Sequence, residues 1–170
     1  MVGGSIAVDA VLQGGDHLTV EEGVQLRVIH TPGHSAGSIS LLFEGEKILF
    51  SGDALPLTGD LPLYDDIAVS VSSIDSLKRL RDIEILLSSW ESPIRGRDQI
   101  DRRVESGLVY LRKIHDTVLK TYEEKKHTGM SLCKEVVANL GLPPFVANPL
   151  LAKAFMSSVE ARNNKHLSDF

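Results

Sequence analysis

Two short segments contain the residues whose side chains could do chemistry. Residues 30–38 read His-Thr-Pro-Gly-His-Ser-Ala-Gly-Ser, and residues 50–55 read Phe-Ser-Gly-Asp-Ala-Leu. The proline and glycines of the first segment predict tight turns, which would hold His34 on a rigid loop. Asp53 follows an apolar run, where a carboxylate is costly to bury unless it is paired or bound to a cation. His34 and Asp53 are therefore candidate ligands.

His34 and Asp53 are expected to meet at one edge of a sheet. Strand-like runs at 38–43 and 47–50 flank a short turn at 44–46, a pattern that predicts a β-hairpin. Because His34 precedes the first strand and Asp53 follows the second, antiparallel pairing brings them to the same end. Imidazole and carboxylate together suit zinc, manganese or iron. We predict both as metal ligands, and the residues assign no catalytic group.

The elements that must position these residues form a sheet with interposed helices. Further runs of strand type lie at 16–20, 25–29 and 84–87. Ser72 and Asp75 resemble a capping box, which predicts a helix from there to about Arg81. Strands alternating with helices indicate an α/β or α+β class.

From residue 98 onward the pattern is helical. The spacing of apolar residues and the capping signals predict three helices, at 98–126, from Ser131 to about Gly141, and from Asn148–Pro149 to about Asn163. We therefore divide the chain into a sheet-rich region, 1–96, and a helical extension, 97–170. The basic residues between Arg95 and Arg103 are interrupted by acids and predict a solvated helix face.

Composition excludes several classes of function. The 170 residues have a formal net charge of −5 and no basic face, so no nucleic-acid partner is expected. No apolar run approaches the roughly 20 residues that span a bilayer, so no membrane partner is expected either. The first five residues lack the pattern of a signal peptide. Cys133 is the single cysteine and can form no intramolecular disulfide, which favours the cytoplasm.

The two chemical segments together resemble the metallo-β-lactamase superfamily. The resemblance rests on Thr-Pro-Gly-His-Ser-Ala-Gly-Ser at 31–38 followed by Ser-Gly-Asp at 51–53, and it covers about residues 5–94. It implies a four-layer αββα sandwich, with His34 as a metal ligand and Asp53 as a carboxylate bridging two metals. It also implies hydrolysis by a metal-bound hydroxide. The helical extension resembles the C-terminal extension of some hydrolases in that superfamily.

The chain also departs from the superfamily's pattern. The His-x-His-x-Asp-His motif expected upstream is absent from the 30 residues that precede Thr31. Trp90 stands where a final histidine is expected, and an indole N–H cannot ligate a metal. Catalytic zinc usually takes three protein ligands, whereas this chain offers two, with Glu91 as a conceivable oxygen donor. The cofactor is thus zinc, iron or manganese, or there is none in this chain. His30 is expected to face elsewhere.

Two hypotheses of function follow. In the first, the chain is the C-terminal half of a metal-dependent hydrolase of small-molecule thioesters, esters or lactones. It would be metal-deficient and inactive alone, and an N-terminal half would supply the missing ligands. In the second, it is a degenerate, non-catalytic half-domain in which His34 bonds to the Asp53 carboxylate. Under either hypothesis, half a sandwich leaves one sheet face uncovered, so two copies are expected to pair through it as a homodimer.

Overall fold

The computed structural model describes residues 7–164 and Leu167; the first five residues lie outside this part. The strands are β1 His17–Glu21, β2 Val24–His30, β3 Ile39–Phe43, β4 Ile48–Gly52, β5 Ile85–Ser88 and β6 Ile94–Arg95. The helices are α1 Ile67–Lys78, α2 Arg97–Lys125, α3 Gly129–Leu140 and α4 Pro149–Glu160, with short 3-10 turns at Pro144–Val146 and Ala161–Asn163. No described helix is both long and apolar enough to cross a membrane.

The six strands form one mixed sheet in sequential order, which confirms the predicted α/β class. All neighbours are antiparallel except β4 and β5, which pair in parallel and are joined through α1. The predicted hairpin is formed by β3 and β4, with Leu42 opposite Leu49. Because side chains alternate between the faces of a strand, Leu42, Leu49 and Leu86 lie on one buried face.

Helix α1 begins earlier than the sequence predicted. The prediction placed its start at Ser72, but the N-cap is Asp66, whose carboxylate accepts a hydrogen bond from the Val69 amide at 3.0 Å. Ile67 and Val71 are buried and continue the apolar stripe of the helix toward its N-terminus. The capping-box prediction was wrong because the earlier carboxylate caps a helix with one more apolar turn.

The three helices of the extension are confirmed. Helix α3 begins at Gly129 with Thr128 as N-cap rather than at Ser131, and Gly141 ends it with a left-handed backbone, φ 74°. Asn148 caps α4 as predicted, since its side-chain oxygen accepts from the amides of the next two turn residues, Leu150 and Leu151.

A single hydrophobic core joins the sheet to all four helices. It contains Leu86 of the sheet, Ile74 of α1, Ile114 of α2 and Phe155 of α4, each with essentially no exposed surface. Since these residues come from both sides of Gly96, the sheet-rich region and the extension share one core in the described chain.

The opposite face of the sheet is apolar but lies outside this core. The residues that alternate with the buried ones are paired across β3, β4 and β5, and they are Leu41, Phe43, Ile48, Phe50, Ile85 and Leu87. They are half-buried except Phe50, which is exposed. We call this set the outer sheet face.

Candidate functional site

The loop that carries His34 is fastened to the start of α1. Gly33 has φ +132°, and a Cβ atom there would lie 2.5 Å from the Cα of Ser70, closer than any side chain allows. The Ser73 hydroxyl donates to the carbonyl of Pro32 at 2.6 Å. The glycine of the Thr-Pro-Gly-His turn is therefore required by close contact between two backbones, and this contact positions His34.

The imidazole of His34 is oriented by one hydrogen bond. Its Nδ1–H donates to the carbonyl of Leu63 at 3.0 Å. A carbonyl can only accept, so this bond fixes the tautomer and leaves the Nε2 lone pair free. Within the described residues Nε2 has no hydrogen-bond partner. Ligating histidines are commonly held in this way, with one nitrogen donating to a carbonyl and the other available.

Asp53 lines the same cleft as His34 and accepts a hydrogen bond from Trp90. It follows β4, while Trp90 follows β5, and parallel pairing places both at the same sheet edge. The indole Nε1–H donates to Asp53 Oδ1 at 2.8 Å. Trp90 has a left-handed backbone, φ 70°, and an 84% exposed side chain. All three side chains line one cleft of about 410 Å³.

The structure thus brings the two predicted ligands into one cleft, but not into contact through a hydrogen bond. The interpretation in which His34 bonds to the Asp53 carboxylate was wrong, because His34 uses Leu63 and Asp53 uses Trp90. His30 is exposed, donates from Nε2 to the Ala36 carbonyl at 3.1 Å, and lines a different cleft.

Glu91, the conceivable third donor, is held elsewhere. Its carboxylate accepts from Nε of Arg103 at 2.7 and 3.0 Å and also from the hydroxyl of Ser88. The Arg103 side chain is 9% exposed and that of Glu91 18%, so the pair is largely shielded from water. A carboxylate engaged by a buried guanidinium is a poor candidate for binding a cation.

The donor set does not fit a catalytic metal by itself. Among residues 7–164 and Leu167, no group of three or more His, Cys, Asp or Glu side chains is placed to hold a metal ion. His34 and Asp53 supply two donors, and an indole already bonds one carboxylate oxygen. Catalytic zinc usually takes three protein ligands, so these residues alone do not complete such a site.

Helix α2 holds the loop that lines the cleft, a role that the sequence patterns did not predict. Arg103 donates from Nη2 to the Leu55 carbonyl at 2.9 Å and from Nη1 to the Pro56 carbonyl at 3.2 Å. Two turns later, Tyr110 donates its hydroxyl to the Asp60 carbonyl at 2.7 Å. Burial raises the pKa of Tyr110, so the hydroxyl stays protonated and keeps this bond.

The prediction of a solvated basic face on α2 does not hold for Arg103, which is buried. Arg103 and Tyr110 are seven residues apart and so lie on one face of the helix. The buried residues of α2 next to them are Ile100, Val104 and Leu111. The sequence does place the Arg103 cation beside an apolar helical stripe, which could have indicated that it is buried. That position does not indicate which loop Arg103 contacts.

Comparison with protein families and curated proteins identifies relatives. The family model described as the metallo-beta-lactamase superfamily matches residues 2–90. The Beta-lactamase-like protein 2 homolog of Caenorhabditis elegans is 30% identical over 118 residues, which are 69% of this chain and 39% of that protein. Human Acyl-coenzyme A thioesterase MBLAC2 is 51% identical over 75 residues, 42% of this chain and 26% of that protein.

A shorter match is the Hydroxyacylglutathione hydrolase of Halorhodospira halophila, 50% identical over 48 residues, 28% of this chain and 18% of that protein. The chain therefore spans well under half the length of these curated relatives.

Solved structures share the fold. A metallo-beta-lactamase family protein from Thermus thermophilus superposes with a TM-score of 0.62 at 22% identity, covering 88% of this chain and 49% of that one. The sec-alkylsulfatase Pisa1 from Pseudomonas sp. gives a TM-score of 0.61 at 17% identity, covering 91% of this chain and 26% of that one. At these identities the likeness concerns the fold alone.

Proposed function

The chain belongs to the metallo-β-lactamase superfamily, and on that premise we propose that it is the C-terminal part of a metal-dependent hydrolase of small-molecule acyl thioesters. One observation carries the proposal: His34 and Asp53 line the same cleft, and the Nε2 atom of His34 is left free by the bond from Nδ1 to Leu63. An imidazole and a carboxylate so placed are suited to two of the ligands that such a hydrolase needs.

We propose thioesters rather than esters or lactones as the substrates because of the activities that the relatives' names state. One relative is named an acyl-coenzyme A thioesterase and another a hydroxyacylglutathione hydrolase. Both names denote cleavage of an acyl group from a thiol carrier, although each relative matches only part of this chain. We extend the substrate class of these proteins to the site formed by His34 and Asp53.

The remaining ligands must come from outside the described residues. We propose that an N-terminal half provides them, and that the metal is zinc, iron or manganese. Without that half, His34 and Asp53 are too few to retain a catalytic metal, so the isolated chain is expected to be metal-deficient and inactive.

Complementation tests this proposal. The chain would be coexpressed with the N-terminal portion of the human relative that lies before the matched region. The copurified pair would be assayed for metal by elemental analysis and for cleavage of thioesters, esters and lactones. We expect metal and thioester cleavage in the pair only, with both lost in Asp53→Asn. Asp60→Asn, in the same cleft, is the matched control and keeps both. Equal activity of the two variants would contradict the proposal.

A second candidate function is a non-catalytic dimerising module, and the outer sheet face favours it. Six apolar residues on that face lie outside the core of the described chain, and the Asp53 carboxylate is bonded by an indole. Two copies pairing through this face would form an isologous dimer, the commonest oligomer. Light scattering is expected to show a dimer that Phe50→Asp disrupts and the exposed control Val69→Asp does not. A monomer at micromolar concentration would rule this candidate out.

We propose that the protein is cytoplasmic. Its only cysteine, Cys133, is buried and unpaired, and burial raises the pKa of its thiol. A buried thiol of this kind behaves as a core side chain, and a single cysteine that forms no intramolecular disulfide is compatible with a reducing compartment.

A further inference from the structure

The segment that follows Asp53 is unusually apolar for a loop. Residues 55–63 read Leu-Pro-Leu-Thr-Gly-Asp-Leu-Pro-Leu, two identical triplets around a polar centre. Connecting segments usually run over the surface and are polar. Leu55 is buried, Leu57 and Leu63 are half-buried, and Leu61 is 38% exposed. We call residues 55–63 the leucine loop.

The leucine loop lines the same cleft as the proposed ligands. Each of its four leucines borders the cleft, and Trp90 lines it as well. The cleft's volume of about 410 Å³ lies in the range typical of small-molecule sites. Apolar surface therefore leads directly to His34 and Asp53.

The backbone of the loop is fixed before any ligand binds. Arg103 of α2 donates to the carbonyls of Leu55 and Pro56, and Tyr110 donates to that of Asp60. Proline in each triplet further limits the loop's conformations. Because the main chain is held by α2, little ordering entropy is lost when a ligand contacts the leucines.

The charge of the cleft selects against anions. Its described lining includes the carboxylates of Asp53 and Asp60 and contains no lysine or arginine. Like charges repel a phosphate or carboxylate group of a ligand, and no lysine or arginine of the lining compensates. The cleft thus suits a neutral apolar group rather than the anionic thiol carriers of the relatives' substrates.

We propose that the leucine loop and Trp90 form a groove for the linear acyl chain of the substrate. The thioester carbonyl would lie at the His34 and Asp53 end, and the thiol carrier would lie outside the cleft. The position of the carbonyl rests on the proposed function, whereas binding of an alkyl chain does not. Longer chains cover more of the leucine side chains and so bind more tightly.

Trp90 provides the readout, since it is the only tryptophan of the chain and lines the groove. The chain would be titrated with S-alkyl N-acetylcysteamine thioethers of two to twelve alkyl carbons, which are neutral and cannot be hydrolysed. Full burial of a methylene changes affinity about fourfold, so in this half-open groove we expect saturable changes in emission with about a twofold gain per methylene.

Substitutions at two positions separate the groove from other apolar surface. Leu61→Asp places a charge in the groove and is expected to abolish the dependence on chain length, while Leu61→Ala weakens it. Phe145→Asp is the matched control, because Phe145 is 86% exposed and does not line the cleft. Thermal unfolding would show whether each variant is folded. If Leu61→Asp does not fold, the comparison of Leu61→Ala with the unmodified chain tests the groove.

The proposed groove would be wrong if affinity for the thioethers did not change with chain length. It would also be wrong if the Leu61 and Phe145 variants lost affinity equally. If thioether affinity depended on chain length but the complemented pair did not cleave thioesters, the groove would be supported and the proposed function contradicted. If the pair cleaved thioesters at a rate independent of acyl length, and thioether affinity were also independent of chain length, the proposed function would be supported and the groove contradicted.

Discussion

The indole Nε1–H of Trp90 donates to Oδ1 of Asp53 at 2.8 Å, across the ends of two parallel strands. The carboxylate thereby has a neutral donor as its partner at the place where the superfamily resemblance implies a metal. Trp90 adopts φ 70° to reach it, a backbone conformation that costs a non-glycine residue about 1 kcal/mol or more. This single contact defines the state of the site in the described chain.

Replacing Trp90 with histidine is expected to convert the cleft into a better metal site. The variant offers three donor side chains, the number that catalytic zinc usually takes. We expect Zn²⁺ affinity, measured by isothermal titration calorimetry, to rise by at least about tenfold, the effect that even one supporting partner has on a metal site. Trp90→Phe removes the indole N–H without adding a donor and serves as the control. Equal affinities for the two variants would show that residue 90 does not face a metal.

Gly33→Ala is expected to destabilise the fold and displace His34. The added Cβ would meet the backbone of Ser70 at a φ of +132°, so we expect a loss of roughly 2–4 kcal/mol in the free energy of unfolding from strain and overpacking. Gly37→Ala, in the same loop, meets no atom within 4 Å and should change stability little. Urea unfolding of both variants is the measurement, and similar midpoints would refute this role for Gly33.

Arg103→Met is expected to loosen the cleft from a distance. It removes the Arg103 donor from the carbonyls of Leu55 and Pro56 and from the Glu91 carboxylate, which keeps the Ser88 hydroxyl, at a cost of roughly 2–3 kcal/mol. Because Trp90 directly precedes Glu91, we also expect the bond from Trp90 to Asp53 to loosen and the emission of Trp90 to change.

The neighbouring Arg102 is exposed and provides the control for this substitution. Arg102→Met should leave both the stability and the Trp90 emission unchanged. If Arg103→Met lowers stability but the emission of the folded protein stays the same, Arg103 supports the fold without positioning the site.

His115 is expected to make stability fall in mild acid. It is 5% exposed, and burial lowers its pKa below the usual value of about 6.5, with the nearby Asp116 opposing the shift. The unfolded chain therefore binds a proton before the folded one does. The stability is fully present above about pH 6.5 and declines as pH falls toward the lowered pKa, by at most about 1.4 kcal/mol per pH unit.

Urea unfolding at pH 7.5, 6.5 and 5.5 measures this decline. His115→Leu should reduce the pH dependence, whereas His17→Gln, at an exposed position, should leave it as it is. A dependence that is the same in the protein and in His115→Leu would assign the effect to other groups.

The sequence by itself determined the parts that local patterns encode. Alternating residues around a short turn define the β3–β4 hairpin, and this is enough to bring His34 and Asp53 to one edge. The stripe of α2, the Gly141 end of α3 and the Asn148 cap of α4 each depend on residues within a few positions of one another. Such signals are legible because propensity and capping act within one turn.

Only the tertiary structure decided how the site is partnered. Trp90 bonds to Asp53 across 37 residues because β5 pairs in parallel beside β4. Arg103 reaches Leu55 across 48 residues because α2 packs along the cleft loop. These contacts follow from the packing of elements against a common core, and no residue near Asp53 in the sequence indicates them. Local sequence patterns identify the candidate ligands His34 and Asp53, whereas the packing of distant elements determines their hydrogen-bond partners.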